Sequence, residues 1–151
     1  MRLTRYTDYA MRVLLHLAAR DDDDGLASIG EIAALYDISQ NHLMKVVQDL
    51  GRAGFVRTVR GRGGGIALAR PADQIVVGHV VRQTEEGFQL VDCTNCRIAP
   101  ACTLPRALNE ATAAFIAVLD KYTLEDLLDK RHQMRTLFGI TDPAELAAAA
   151  P

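Results

Sequence analysis

Residues 28–69 carry the pattern that leaves this chain the fewest folds. Ser28-Ile29-Gly30-Glu31 is a capping-box sequence, so a helix starts near Ile29 and turns Ile32, Ala33 and Leu35 inward. Asp37-Ile38 makes a short turn. Ser39 is placed to cap the next helix, in which Leu43, Val46, Val47 and Leu50 form the buried face and Gly51 and Gly54 bracket the end. An alternating strand follows at once over residues 55–60. Gly61-Arg62-Gly63-Gly64-Gly65 then turns the chain, and Ile66-Ala67-Leu68-Ala69 returns as a second strand. Two helices about a tight turn, followed directly by a glycine-tipped hairpin, make a winged helix-turn-helix.

Elements on either side complete a mainly α fold with one small β-hairpin. Leu3 to Arg20 places Tyr6, Tyr9, Ala10, Val13, Leu14, Leu17 and Ala18 on one apolar stripe. Four consecutive aspartates and Gly25 then form an exposed turn. Beyond Pro71, Val76 to Glu85 is a short helix. Leu104, Leu108, Ala111, Phe115, Val118 and Tyr122 alternate steps of four and three, a heptad seam on a long helix of about twenty residues. That seam predicts pairing with a second copy. The expected organisation is a DNA-binding winged helix over 1–75, a cysteine loop and dimerisation helix over 76–130, and a C-terminal tail over 131–151.

Apolar residues make up 49% and charged residues 24% of the chain, which suits a globular protein rather than a disordered one. The net charge of −2 does not advertise a nucleic-acid partner, but its distribution does. From Arg57 to Arg70 there are four arginines and no acid. Arg57, Arg60 and Arg62, with Gly63 at the tip, form a basic wing. On the preceding helix Gln40, Asn41, His42, Lys45 and Gln48 are polar opposite an apolar face. Amides can bond an adenine edge, Lys45 can reach a guanine or a phosphate, and Ser39 with the first-turn amides suits a backbone phosphate. The glycine run is no nucleotide loop, because it lacks the Lys-Ser/Thr ending and sits between strands.

All three cysteines fall in one ten-residue window, Cys93, Cys96 and Cys102. An odd count excludes a closed disulfide framework. Three thiolates on one short segment suit a metal centre completed by a ligand from elsewhere, whether zinc or an iron–sulfur cluster. A redox Cys-x-x-Cys pair expects alternating strands and helices, which this chain lacks. No apolar run approaches the length of a membrane span and no export signal opens the chain, so the expected location is a reducing cytoplasm.

Thr7-Asp8-Tyr9-Ala10, Asn41 to Val47, Leu50-Gly51-Arg52-Ala53-Gly54-Phe55 and Gly64-Gly65-Ile66 resemble the bacterial iron–sulfur winged-helix regulators. Cys96 to Cys102 followed by Leu104 is similar to the nitric-oxide-sensing members of that family, although these often have more than two residues between the first two cysteines. The resemblance implies a homodimer on palindromic operator DNA, acting as a repressor that lets go when nitric oxide reaches a 4Fe–4S cluster. A related regulator answering to cluster supply, iron or redox state is the alternative. The resemblance further implies three thiolate ligands and one non-cysteine ligand from the partner's first helix, where Asp8 holds the matching position. From the residues alone, Asp8 would pair with Arg12 four positions on. His79, then His42 and Glu85, are the other candidates.

Overall fold

The computed structural model describes residues 2–140. Six helices and one two-stranded antiparallel hairpin follow one another in the order α1 (Arg5–Ala18), α2 (Ile29–Leu35), α3 (Gln40–Arg52), β1 (Val56–Val59), β2 (Gly65–Leu68), α4 (Val77–Thr84), α5 (Leu104–Leu119) and α6 (Arg131–Leu137). The expected mainly α architecture with a small hairpin is what forms. Residues 141–151, the rest of the expected tail, lie outside the described residues.

Short polar signals set the helix limits. The Thr4 side chain accepts from the Thr7 amide at 3.3 Å and starts α1. Ser28 accepts from the Glu31 amide at 3.0 Å and starts α2. The return half of the expected capping box is not the one seen, because the Glu31 carboxylate reaches Arg20 at 3.0 Å instead. The helix-turn-helix turn is a Schellman ending. Asp37 takes the left-handed position with φ 51°, and the Ile38 amide reaches back to the Ala33 carbonyl at 2.9 Å. The end of α3 repeats the motif with Gly54 at φ 76° and Phe55 bonding Leu50 at 2.9 Å. Ile38 and Phe55, the residues just after each left-handed position, are both buried.

α1 is the spine of the core. Ala10, Val13 and Leu14 are fully buried, and they share one cluster with Ile32 from α2, Leu43, Val46 and Leu50 from α3, and Ile66 from β2. The same cluster includes Ile75, Val80, Leu124 and Leu128, so it continues past residue 75 without a break. Val56 pairs with Leu68 and Val59 with Gly65 across the hairpin. A further bridge, Ala27 with Ile66, binds the hairpin to the chain ahead of α2 through bonds of 3.0 and 2.8 Å. Gly65 makes that approach feasible, since a Cβ there would come within 2.5 Å of the Ala27 carbonyl oxygen.

Residues 131–137, the start of the expected C-terminal tail, form α6. Arg131 donates to the Ala18 carbonyl at 2.8 Å and Arg135 to the Ala19 carbonyl at 3.0 Å, satisfying acceptors at the C-terminal end of α1. Arg135 also pairs with the half-buried Asp24 at 2.6 Å. The hydrogen bond from Arg135 outweighs the cost of burial and holds the Asp24 carboxyl below its ordinary range. Phe138 stacks against the buried His16, ring centroids 4.9 Å apart. Neither nitrogen of His16 has a hydrogen-bond partner among the described residues, and the Glu31 carboxylate at 3.6 Å is too far to serve.

Candidate nucleic-acid interface and cysteine loop

The polar face of α3 is exposed where the sequence places it. Gln40, Asn41, His42, Lys45 and Gln48 face solvent while Leu43, Val46, Val47 and Leu50 anchor the other side. Met44 also faces out, half exposed, and completes a face of Asn41, Met44, Lys45 and Gln48 at helical spacing. Hydrophobicity hides such a residue in a sequence, because an apolar position on a helix is ordinarily counted to the core. Ser39 occupies the cap position but its hydroxyl makes no cap bond. The first-turn amides of α3 therefore face outward without that side-chain partner.

The wing is as basic as expected. Arg57, Arg60 and Arg62 are exposed, and none of them forms an ion pair among the described residues. Gly61 and Gly63 adopt positive φ at the tip. Arg70 instead lies over the Phe55 ring, 5.1 Å from its centre, and braces the base of the hairpin.

The three cysteines are free; Cys96 is exposed, with Cys93 and Cys102 half-buried. Successive backbone turns wind the segment, from Cys96 to the Cys93 carbonyl at 3.3 Å, from Ala99 to Cys96 at 3.1 Å and from Cys102 to Ala99 at 3.4 Å. No residue between Thr84 and Thr112 is buried. Among the described residues, no three His, Cys, Asp or Glu side chains stand close enough together to hold a metal ion. The chain thus offers a suitable donor set, three free thiols on a segment with no buried residue, without assembling it.

The non-cysteine candidates divide clearly. Asp8 is exposed on the first turn of α1 and pairs with Arg12 at 2.8 Å. His42 belongs to the polar face of α3 and His79 to the exposed side of α4. Glu85 is committed elsewhere. Its Oε1 accepts from the Thr4 amide at 2.8 Å, from the Thr4 hydroxyl at 3.0 Å and from the Thr7 hydroxyl. Burial raises its pKa, but the donors of Thr7 and Thr4 outweigh that and hold it below the ordinary value.

The expected seam is split by the fold. Leu104, Ala111 and Val118 are exposed on α5, while Leu108 and Phe115 are half-buried. Phe115 packs with Ile116 against Val77 and Val81 of α4. Tyr122 falls outside the helix, which ends at Leu119, and its carbonyl accepts from the Val77 amide at 2.8 Å. The helix is therefore shorter than the seam predicted.

The Rrf2 family, described as iron-dependent transcriptional regulators, matches residues 3–130. This chain belongs to the Rrf2 family. As an Rrf2 protein it is a transcriptional regulator and not an enzyme. The regulator NsrR of Bacillus subtilis is 49% identical over 147 residues, covering 94% of this chain and all of that protein. NsrR of Geobacillus kaustophilus is 49% identical over 142 residues, 91% of this chain and 96% of its own. Among solved structures, IscR of T. potens superposes with a TM-score of 0.70 at 27% identity, covering 86% of this chain and 88% of that one. CymR, the global cysteine regulator of B. subtilis, gives 0.64 at 27% identity over 84% and 95%. No helix among the described residues is long and apolar enough to cross a membrane.

Proposed function

We propose that this Rrf2 protein is a homodimeric, cytoplasmic repressor that holds operator DNA while a cluster is bound in its cysteine loop and releases the DNA on exposure to nitric oxide. The observation that carries this reading is the set of three free thiols on a segment with no buried residue after α4, in a chain 49% identical to NsrR of Bacillus subtilis over 94% of its length. Cys93, Cys96 and Cys102, with Asp8 of the partner subunit, would hold a 4Fe–4S cluster. When bound, such a cluster supplies thiolate-held iron open to nitric oxide.

The rest falls to the chain's own side chains. Asn41, Lys45 and their neighbours read base edges, and Arg57, Arg60 and Arg62 contact phosphates or the minor groove beside Gly63. The exposed stripe Leu104, Ala111, Val118 meets its copy and fixes the spacing of the two reading helices. Moving Asp8 from Arg12 to the partner's loop ties the first helix of one subunit to the thiols of the other. Loss of that tie lets the reading helices leave register, a two-state change.

Anaerobic absorption spectroscopy with stepwise nitric oxide, read beside operator binding, tests the proposal. Bleaching of the cluster bands in step with operator release is the expected result. Operator binding that survives full bleaching rejects nitric oxide as the signal. The iron dependence in the family's description favours the second reading, regulation by cluster supply, iron or redox state. Under that reading cluster loading alone sets occupancy. For the dimer, Val118→Asp is the cleaner probe than a change at Phe115, which packs within its own subunit. Sedimentation of the variant as a monomer at low micromolar concentration is expected.

A further inference from the structure

The first turn of α1 sits between two polar contacts that join opposite parts of one subunit. On one side is Glu85, at the residue where α4 ends and the path to Cys93 begins. Its carboxylate takes the Thr4 amide at 2.8 Å and the Thr4 hydroxyl at 3.0 Å, and the buried Thr7 hydroxyl as well. Thr7 has a single hydroxyl hydrogen and also lies 2.9 Å from the Thr84 oxygen; the charged acceptor takes it, while Thr84 donates to the Val80 carbonyl at 3.0 Å. On the other side is Tyr6, whose hydroxyl donates to Asp49 on α3. Asp49 is in turn held by Arg52 at 3.2 Å.

The two contacts are separated only by neighbouring residues of one helical turn. Thr4 is also the N-cap of α1, so a change at Glu85 acts on the residue that starts the helix. Tyr6 then carries that change to the last turn of the recognition helix. Its hydroxyl, pushed up to about 12 by burial and by the Asp49 hydrogen bond, remains a donor throughout the neutral range.

We infer that Glu85 and Tyr6 are positioning residues that couple the start of the cysteine loop to the recognition helix within one subunit, through the first turn of α1. The signal need not cross the dimer to reach the DNA-reading face. It can pass from residue 85 to Thr4 and Thr7, and from Tyr6 to Asp49. The link to sensing rests on the function proposed above; the coupling between Glu85 and Tyr6 does not.

A double-mutant cycle on the full chain tests the coupling. Affinities for operator and for random duplex are measured by fluorescence anisotropy for wild type, Tyr6→Phe, Glu85→Ala and the double variant, all first as purified anaerobically at matched iron content. Each single change should lower the operator-to-random ratio by about 3- to 30-fold, with random binding unchanged. The double variant should lose no more than the larger single one, since both cut the same connection. Glu85→Gln keeps an acceptor oxygen for the threonines and should recover most of the ratio. A merely structural role would lower both affinities together. Singles that leave the ratio unchanged, or a double loss equal to the product of the singles, would overturn the inference. The cycle is then repeated with cluster-free protein. Glu85→Ala should bring the loaded and cluster-free affinities closer together than in wild type, and an undiminished difference overturns the link to the loop. If wild type itself binds operator equally in both forms, the sensing function fails while the first cycle still decides the coupling.

Discussion

In the function proposed above, residues 40–52 read DNA and residues 86–103 sense the signal, and the fold supports the two segments in opposite ways. Behind the reading face, Leu43, Val46, Val47 and Leu50 are almost completely buried, and a Schellman ending closes the helix. Its side chains can therefore be presented to DNA at fixed positions before DNA arrives, with little ordering left to do. The cysteine loop has no buried residue and is attached to the core through the half-buried Phe88, which packs on the Val77, Val81 and Ile116 cluster. A reader needs rigidity because base contacts tolerate little misalignment. A sensor segment needs freedom to close on one ligand set and to open again.

That contrast can be broken most directly at Cys96. Cys96→Ala should abolish cluster incorporation, seen as loss of visible absorption and iron. Urea unfolding of the cluster-free protein should meanwhile move by no more than about 0.5 kcal/mol, as for an exposed position outside the core. A large loss of cluster-free stability would show that the loop is part of the folded frame after all.

The next effect tests the opposite pole. Arg135→Ala removes the bond to the Ala19 carbonyl and leaves Asp24 without its close cation. Breaking a buried pair in this way should cost about 3–5 kcal/mol in urea unfolding. A cost under 1 kcal/mol would detach α6 from the frame that supports the reader.

Smaller changes should separate the two halves of the reader itself. Asn41→Ala is expected to cost about 1–3 kcal/mol on operator and to relax preference at one base pair. Arg62→Ala should instead weaken operator and random DNA alike and lower the salt slope by about one unit. Equal losses on both DNAs for Asn41→Ala would reverse these assignments.

The mildest prediction concerns pH. Burial, then the Arg20 charge, pushes the pKa of His16 below its ordinary 6.5. The unfolded chain therefore binds the extra proton, and stability falls as pH drops from 6.5 toward the folded value. One group contributes a slope of at most about 1.4 kcal/mol per pH unit. Asp24 and Glu85 have lowered values and act below the carboxylate range, outside this window. His16→Gln should flatten the difference in urea midpoint between pH 7.5 and pH 5.5. An unchanged difference would assign it to another group.

The winged helix was legible because its signals are local. Ser28, the Asp37-Ile38 turn, Gly54 and the glycine-tipped hairpin each act within a few residues, and each appears where the pattern places it. α6 was missed because arginines 131 and 135 acquire their meaning only from carbonyls more than a hundred positions earlier. The seam over Leu104 to Tyr122 was half legible. Periodicity marks apolar positions, but not whether they meet this chain's α4 or another molecule. Glu85 illustrates the same limit. Its chemistry suits a metal ligand, whereas contacts with Thr4 and Thr7, distant in sequence, occupy it. Residues 93, 96 and 102 were visible as a donor set by spacing, and only the set, not its assembly, follows from one chain.

The two ends of α1 are fastened to different things. Arg131 and Arg135 grip its C-terminal carbonyls, while Glu85 grips its first turn. A rod fixed at one end and released at the other swings; it does not slide. Fourteen residues give an arm of about 21 Å, so a 2 Å excursion at Thr4 is a rotation of only about 5°. Tyr6, close to the swinging end, undergoes nearly the whole excursion, whereas Leu17, close to the fulcrum, scarcely moves. The hydrophobic interior around that fulcrum can stay intact while the tyrosine drags Asp49 with it. Such a lever carries an angular message at small cost in packing.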